Sequence, residues 1–112
     1  MRLKDLIRTM GMLRSRGIDG YLAYRYDEFA SLRMSRERYL KTADMVTQRM
    51  SCGLILEIGP GPARTAIETA RLLGAVEVVG LDASKTMLEI ARRHVQEEDL
   101  SDRITFQWGN AA

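Results

Sequence analysis

What this chain has little of already narrows its chemistry. Its 112 residues include a single cysteine, Cys52, so neither a disulfide framework nor a zinc site built on cysteine pairs is available. The one histidine, His94, makes a metal-ligand cluster a poor expectation as well. Aromatic residues amount to only 6%, and the formal net charge is +2, so neither sign of charge dominates. No apolar run approaches the roughly 18–20 residues of a membrane span. The N-terminus, Met1-Arg2-Leu3-Lys4-Asp5, has no long uncharged stretch behind it. No signal peptide is therefore read, and a cytoplasmic protein is the expectation.

What is present is ordinary globular composition, with 46% hydrophobic and 29% charged residues. The length suits one compact domain of about 100–150 residues and not two separate cores. Charge is uneven along it. Residues 1–53 carry a net +5 and residues 54–112 a net −3. A basic arm of this kind is compatible with an anionic partner. Tyr21, Tyr24, Tyr26 and Tyr39 with nearby arginines even resemble a nucleic-acid surface, but amphipathic packing with arginines on the solvated face accounts for them more simply.

Residues 1–53 read as a helical lead-in. Leu3, Leu6, Ile7, Met10 and Leu13 recur at the helical period over 3–16, and Gly17 offers a stop. A second helix is expected at about 20–33, capped by Asp19, with Leu22, Tyr26, Phe29 and Arg33 along one face. A third is expected at about 36–50, capped by Ser35, with Tyr39, Ala43, Val46 and Met50 as its stripe.

The period changes at Leu54. Residues 54–58 form a short apolar run between Gly53 and Gly59, which predicts a strand buried on both faces. Cys52, just before it, is expected to be an inert small hydrophobe. A turn at 59–62, a helix at about 63–73, a strand at 76–81, a helix at about 85–98 capped by Ser84, and an alternating strand Ile104, Phe106, Trp108 follow. Short β-α-β-α-β crossovers force parallel strands with right-handed connections. The fold class expected is therefore α/β: a partial, three-stranded, Rossmann-like parallel sheet preceded by N-terminal helices. Trp108 is read as core. His94, between Arg93 and Val95, is read as a residue of the solvated face.

The informative segment is 56–63, Leu-Glu-Ile-Gly-Pro-Gly-Pro-Ala. It ends the first strand and opens a helix, the place where open α/β sheets bind ligands. Gly59 and Gly61 let bare main chain lie against a ligand, and Ala63 lets the helix approach the strand. Free amides at the helix start suit an anionic group. Asp82 ends the second strand, 21 residues after Gly61, where a carboxylate can accept from both hydroxyls of a ribose. A ribose-bearing cofactor is the natural ligand. A dinucleotide fingerprint would put its third glycine at position 64, which is Arg64, so a nicotinamide-dependent enzyme is disfavoured.

The pattern E-x-G-x-G-x-A over 57–63 instead resembles the nucleotide-binding half of class I S-adenosylmethionine-dependent methyltransferases. The run Asp82-Ala83-Ser84-Lys85-Thr86-Met87-Leu88 is similar to that family's D-x-S-x-x-M-L, and Gly109-Asn110-Ala111 stands where G-D-A is expected. Tyr26-Asp27 is similar to a Tyr-Asp pair found upstream of the fold. The resemblance implies S-adenosyl-L-methionine as cofactor. It implies binding roles for Glu57, Gly59, Pro60 and Gly61 toward the methionine part, for Asp82 and Ala83 toward the ribose, and for Met87, Asn110 and Ala111 toward the adenine. Asn110 replaces a carboxylate; its amide oxygen can still accept, without charge, so weaker adenine selection or weaker cofactor affinity is expected, and not loss of the site. Met87 can equally be core, and Glu57 can equally cap neighbouring amides. The resemblance implies methyl transfer to an acceptor, read as a small molecule, with a non-catalytic or partner-dependent cofactor-binding module as the alternative. No residue is read as a catalytic acid, base or nucleophile.

The family's sheet has more strands than the three found here. Residues 54–112 are therefore expected to be a truncated half-domain whose first strand has an uncovered edge, a site for self-association. Alternatively the N-terminal helices or a second chain cover that edge.

Overall fold

A computed structural model describes residues 19–110. The expected helix at 3–16 and residue Ala111 lie outside the described residues. The element order is α1 (Tyr21–Ala30), α2 (Arg33–Thr47), β1 (Cys52–Ile58), α3 (Arg64–Leu72), β2 (Ala75–Asp82), α4 (Lys85–Glu97) and β3 (Ile104–Trp108). The three strands form one parallel sheet in the order β1-β2-β3. In register, Ile58 lies beside Leu81 and Asp82 beside Trp108, so the carboxyl ends of all three strands meet along one rim.

Both crossover helices pack on the same face of the sheet. Ala66, Ile67 and Ala70 of α3 and Ala91 and Val95 of α4 close over Val78 and Ile104. The small residues of α3 let its backbone come close, which is how so short a chain builds a dense core. Helix α1 adds a second cluster, where Ala23, Met87 and Ile90 are buried with Tyr26 packed against them. Arg103 ties the layers together by donating to the carbonyls of Ala70, Leu73 and Val76, at the end of α3 and the start of β2. None of the helices among the described residues is long and apolar enough to cross a membrane.

Several expectations change. The first strand is not buried on both faces. Leu54, Leu56 and Ile58 are 66%, 64% and 56% exposed, because the helices cover only the face that carries Ile55 and Glu57. Cys52 opens β1 and is exposed. Asp19 does not cap its own helix. The N-cap of α1 is Gly20, and the Asp19 carboxylate instead accepts from the Thr86 amide at 2.9 Å and the Ser84 hydroxyl at 3.0 Å, capping α4 from 65 residues away. These bonds hold the Asp19 carboxyl below its usual pKa, the bonds with Thr86 foremost. Ser35 lies inside α2, which starts at Arg33 with Leu32 as N-cap, and its hydroxyl donates to the Phe29 carbonyl. Ser84 does cap α4, accepting from the Met87 amide at 3.0 Å.

His94 is not on a solvated face. It is 9% exposed, and its Nε2 lies 3.1 Å from Asp27 Oδ2. Helical spacing explains the burial: His94 falls on the stripe of Met87, Ile90 and Ala91, while Arg92 and Arg93 point away. Trp108 is the converse case. It is 57% exposed, with its indole N–H donating to the Ala83 carbonyl at 3.0 Å and Lys85 Nζ lying 4.3 Å from the ring.

Two outcomes test this packing. Gly80 faces Pro60 and Phe106; a methyl there would lie 2.7 Å from Pro60 Cγ and 2.8 Å from Phe106 Cδ1. Gly80→Ala is expected to destabilise the fold by about 1–3 kcal/mol in urea denaturation, through forced overpacking. The second concerns acid. Burial, then the Arg64 guanidinium, hold the His94 pKa below its ordinary 6.5, with Arg93 adding to this and Asp27 and Glu97 opposing it. The unfolded chain therefore binds the proton first. The stability held by neutral His94 is complete above pH 6.5 and is lost as pH falls through the lower folded-state value, at up to about 1.4 kcal/mol per pH unit. Urea denaturation between pH 7.5 and 5 is expected to show this loss, and His94→Gln to flatten it; an unchanged slope would remove His94 as the cause.

Candidate functional site

The loop 59–63 is built by three devices. Gly59 and Gly61 take φ of +67° and +57°, left-handed values that cost side-chain-bearing residues about 1–2 kcal/mol. Ala63 nonetheless takes φ +67° as the N-cap of α3. Its methyl is fully buried, its amide donates to the Pro60 carbonyl at 3.1 Å, and its carbonyl accepts from Ile67 at 3.0 Å, so packing and hydrogen bonds offset the strain. Pro60 is buried against β2, in the space Gly80 leaves. The glycine in β2 was the available signal for that close approach, and sequence reasoning missed it.

The loop is fastened to the end of β2. The Gly59 amide donates to the Leu81 carbonyl at 2.8 Å, and the Gly61 amide donates to Asp82 Oδ2 at 3.3 Å. The other oxygen, Oδ1, accepts from the Ser84 amide at 2.9 Å. One carboxylate thus joins the loop after β1 to the start of α4. Each oxygen keeps a further lone pair, so the group can still accept from a ligand hydroxyl. From β3, the Gly109 amide donates to the Asp82 carbonyl at 2.9 Å, which puts Gly109 and Asn110 beside Asp82 and Ala83. The Trp108 indole on the Ala83 carbonyl braces the same corner from the side.

The structure therefore brings Gly59, Pro60, Gly61, Asp82, Ala83 and Asn110 to one rim of the sheet. Two other residues stand apart. Glu57 faces the helical layer and lines a hollow of about 150 Å³ with Thr42, Val46, Thr65 and Thr69; burial pushes its carboxyl pKa up. The side chain of Met87 is buried beside Ala23 and Ile90, beneath the rim. A larger hollow of about 310 Å³ lies between α4 and β3, lined by Arg92, Gln96, Thr105 and Phe106, and contains none of the rim residues.

Two side chains outside the expected set reach the loop. Tyr26 Cε1 would lie 3.6 Å from a methyl at Gly61, and burial raises the phenol pKa. Arg64, the first residue of α3, donates to Asp27 Oδ1 at 3.3 Å, while its Nε is buried without a partner. The Tyr26-Asp27 pair was the sequence signal for both. What it could not show was that its carboxylate partners would come from α3 and α4. Among the described residues, the rim presents main-chain amides, one carboxylate and an amide side chain.

Comparison with known proteins gives the same picture. A family model described as a methyltransferase domain matches residues 55–112. The chain is 39% identical over 57 residues to Methyltransferase GfsG of Streptomyces halstedii, a match covering 51% of this chain and 20% of that protein. Among solved structures, a protein from Methanococcus maripaludis assigned as an S-adenosyl-L-methionine-dependent methyltransferase superposes with a TM-score of 0.76 at 28% identity, over 83% of this chain and 42% of that one. A methyltransferase from Geobacter sulfurreducens, solved in complex with S-adenosyl-L-homocysteine, gives a TM-score of 0.56 at 26% identity, over 66% of this chain and 29% of that one. The chain spans about a fifth of the curated relative and less than half of either structure. The glycine-rich loop, the carboxylate ending β2 and the matched stretch from position 55 agree: this chain belongs to the methyltransferase-domain family.

Proposed function

We propose that the chain binds S-adenosyl-L-methionine along the rim of its sheet and is the cofactor-holding part of a methyltransferase acting on a small-molecule acceptor. The observation that carries this reading is the 3.3 Å bond between the Gly61 amide and Asp82 Oδ2, which makes the loop and the carboxylate two walls of one site. Asp82 would accept from the ribose hydroxyls with Ala83 beside it, Gly59, Pro60 and Gly61 would flank the amino-acid end, and Asn110 and Ala111 the adenine. Glu57 and Met87 would act from beneath, by shaping the hollow and packing the rim. When bound, the cofactor supplies a methyl group already activated on a sulfonium, displaced by an acceptor atom to leave S-adenosylhomocysteine. The chain's own part is to fix that cofactor, since alignment of two reactants can supply much of a barrier reduction.

In this reading residues 54–112 are the cofactor half and residues 1–53 a helical lead-in whose described helices dock on it. The protein works in the cytoplasm, away from membranes, on a small molecule in preference to nucleic acid. A second reading, a partner-dependent binding module, draws on the exposed Leu54, Leu56 and Ile58. Burying such side chains is worth about 1.5–3 kcal/mol each, so further chain or a second copy meeting this face would gain substantially.

Calorimetry with S-adenosylhomocysteine tests the proposal. Asp82→Asn is expected to weaken binding by roughly 1–3 kcal/mol through lost charge-assisted hydrogen bonds, with NAD giving no heat in either protein. Affinity unchanged by the substitution would refute the ribose assignment.

A further inference from the structure

Helix α1 is fastened across the rim by two carboxylates, one at each end. At its start, Asp19 accepts from Ser84 and Thr86, and the Gly20 amide donates to the Thr86 hydroxyl at 3.1 Å. Ser84 in turn donates to Asp82. Further along the helix, Asp27 receives Arg64 on Oδ1 at 3.3 Å and His94 on Oδ2 at 3.1 Å. A carboxylate only accepts, so His94 Nε2 must carry its proton toward Asp27. The 3.5 Å approach of Arg64 Nη2 to that nitrogen is then a contact between two donors, tolerable only because Asp27 stands between them in charge.

Stability alone is a poor reason for this cluster. The Asp27 and His94 side chains are only 15% and 11% exposed, and apolar residues of similar volume commonly serve as well as a buried polar cluster. What a shared carboxylate adds is orientation. Arg64 is the first residue of α3, three positions beyond Gly61, so its direction is set by the loop. His94 sits in the last turn of α4. Asp27 reads both helices at once, and its neighbour Tyr26 is the side chain that meets Gly61.

We propose that Asp27 is a positioning residue: by binding Arg64 and His94 together it docks α1 against the 59–61 loop and so shapes the end of the site that receives the cofactor's amino-acid portion. The inference rests on the proposed cofactor reading and deepens it. Neutralising Asp27 leaves the half-buried Arg64 guanidinium without its counter-charge. The helix and Tyr26 then lose their fixed distance from the loop, while Asp82 and the adenine side of the rim keep their own bonds.

The test compares two ligands by calorimetry: S-adenosylhomocysteine, and 5′-methylthioadenosine, which lacks the amino-acid portion. Asp27→Asn is expected to weaken S-adenosylhomocysteine about tenfold and to leave 5′-methylthioadenosine within about twofold, with Asp27→Glu recovering part of the loss. Should Asp27→Asn fail to fold, Arg64→Lys, which keeps the charge and loses the planar fork, is expected to show the same selective loss at about threefold. Equal weakening of both ligands, or unchanged S-adenosylhomocysteine affinity, would overturn the assignment. Wild-type protein binding neither ligand would instead sink the cofactor reading, and this inference with it.

Discussion

The site depends on one carboxylate bound by two main-chain amides. Asp82 accepts from Gly61 in the loop after β1 and from Ser84 at the start of α4. Parallel strands make this meeting possible. Their register sets Ile58 beside Leu81, so the chain leaving β1 and the chain leaving β2 emerge at the same rim. Pro60 and Pro62 stiffen the loop, and the 3.3 Å bond from the Gly61 amide ties its centre to the end of β2. The same oxygens each keep a further lone pair, so the group that organises the loop can also accept from a ligand.

The rest of the helical layer supports that rim from below and beside. Gly80 opens the space for Pro60, Ala63 accepts a strained backbone so that α3 can start there, and Arg103 ties off α3 where it meets β2. Helix α1 is fastened to α4 by Asp19 and to both crossover helices by Asp27. The opposite face of the sheet has no such layer among the described residues, and three large apolar side chains stand on it.

The β-α-β-α-β order was legible because each element carries its own period and punctuation. Residues 85–97 show an apolar stripe behind a serine cap, and residues 104–108 alternate. That the 59–61 loop and Asp82 lie on one rim was legible from spacing and strand-end position; the direct bond from the Gly61 amide to Asp82 was not. What escaped was non-local or hidden by composition. Leu54, Leu56 and Ile58 are as apolar as the buried Val76 and Val78, so a run of them says nothing about which face is covered. Asp19 looks like a local cap and serves a helix 65 residues on. His94 sits between charged neighbours, and only the helical angle, not its company, shows that it turns inward. Trp108 keeps the strand's alternation, yet the chain ends its pairing there and leaves the ring at the rim.

An ¹H–¹⁵N NMR titration of the protein with S-adenosylhomocysteine bears on the central claim most directly. The amides of Gly59, Gly61, Ser84 and Gly109 are expected to shift together, with one saturation curve, as a single ligand meets loop and carboxylate at once. Shifts confined to residues lining the hollow between α4 and β3, with these four amides unmoved, would contradict it.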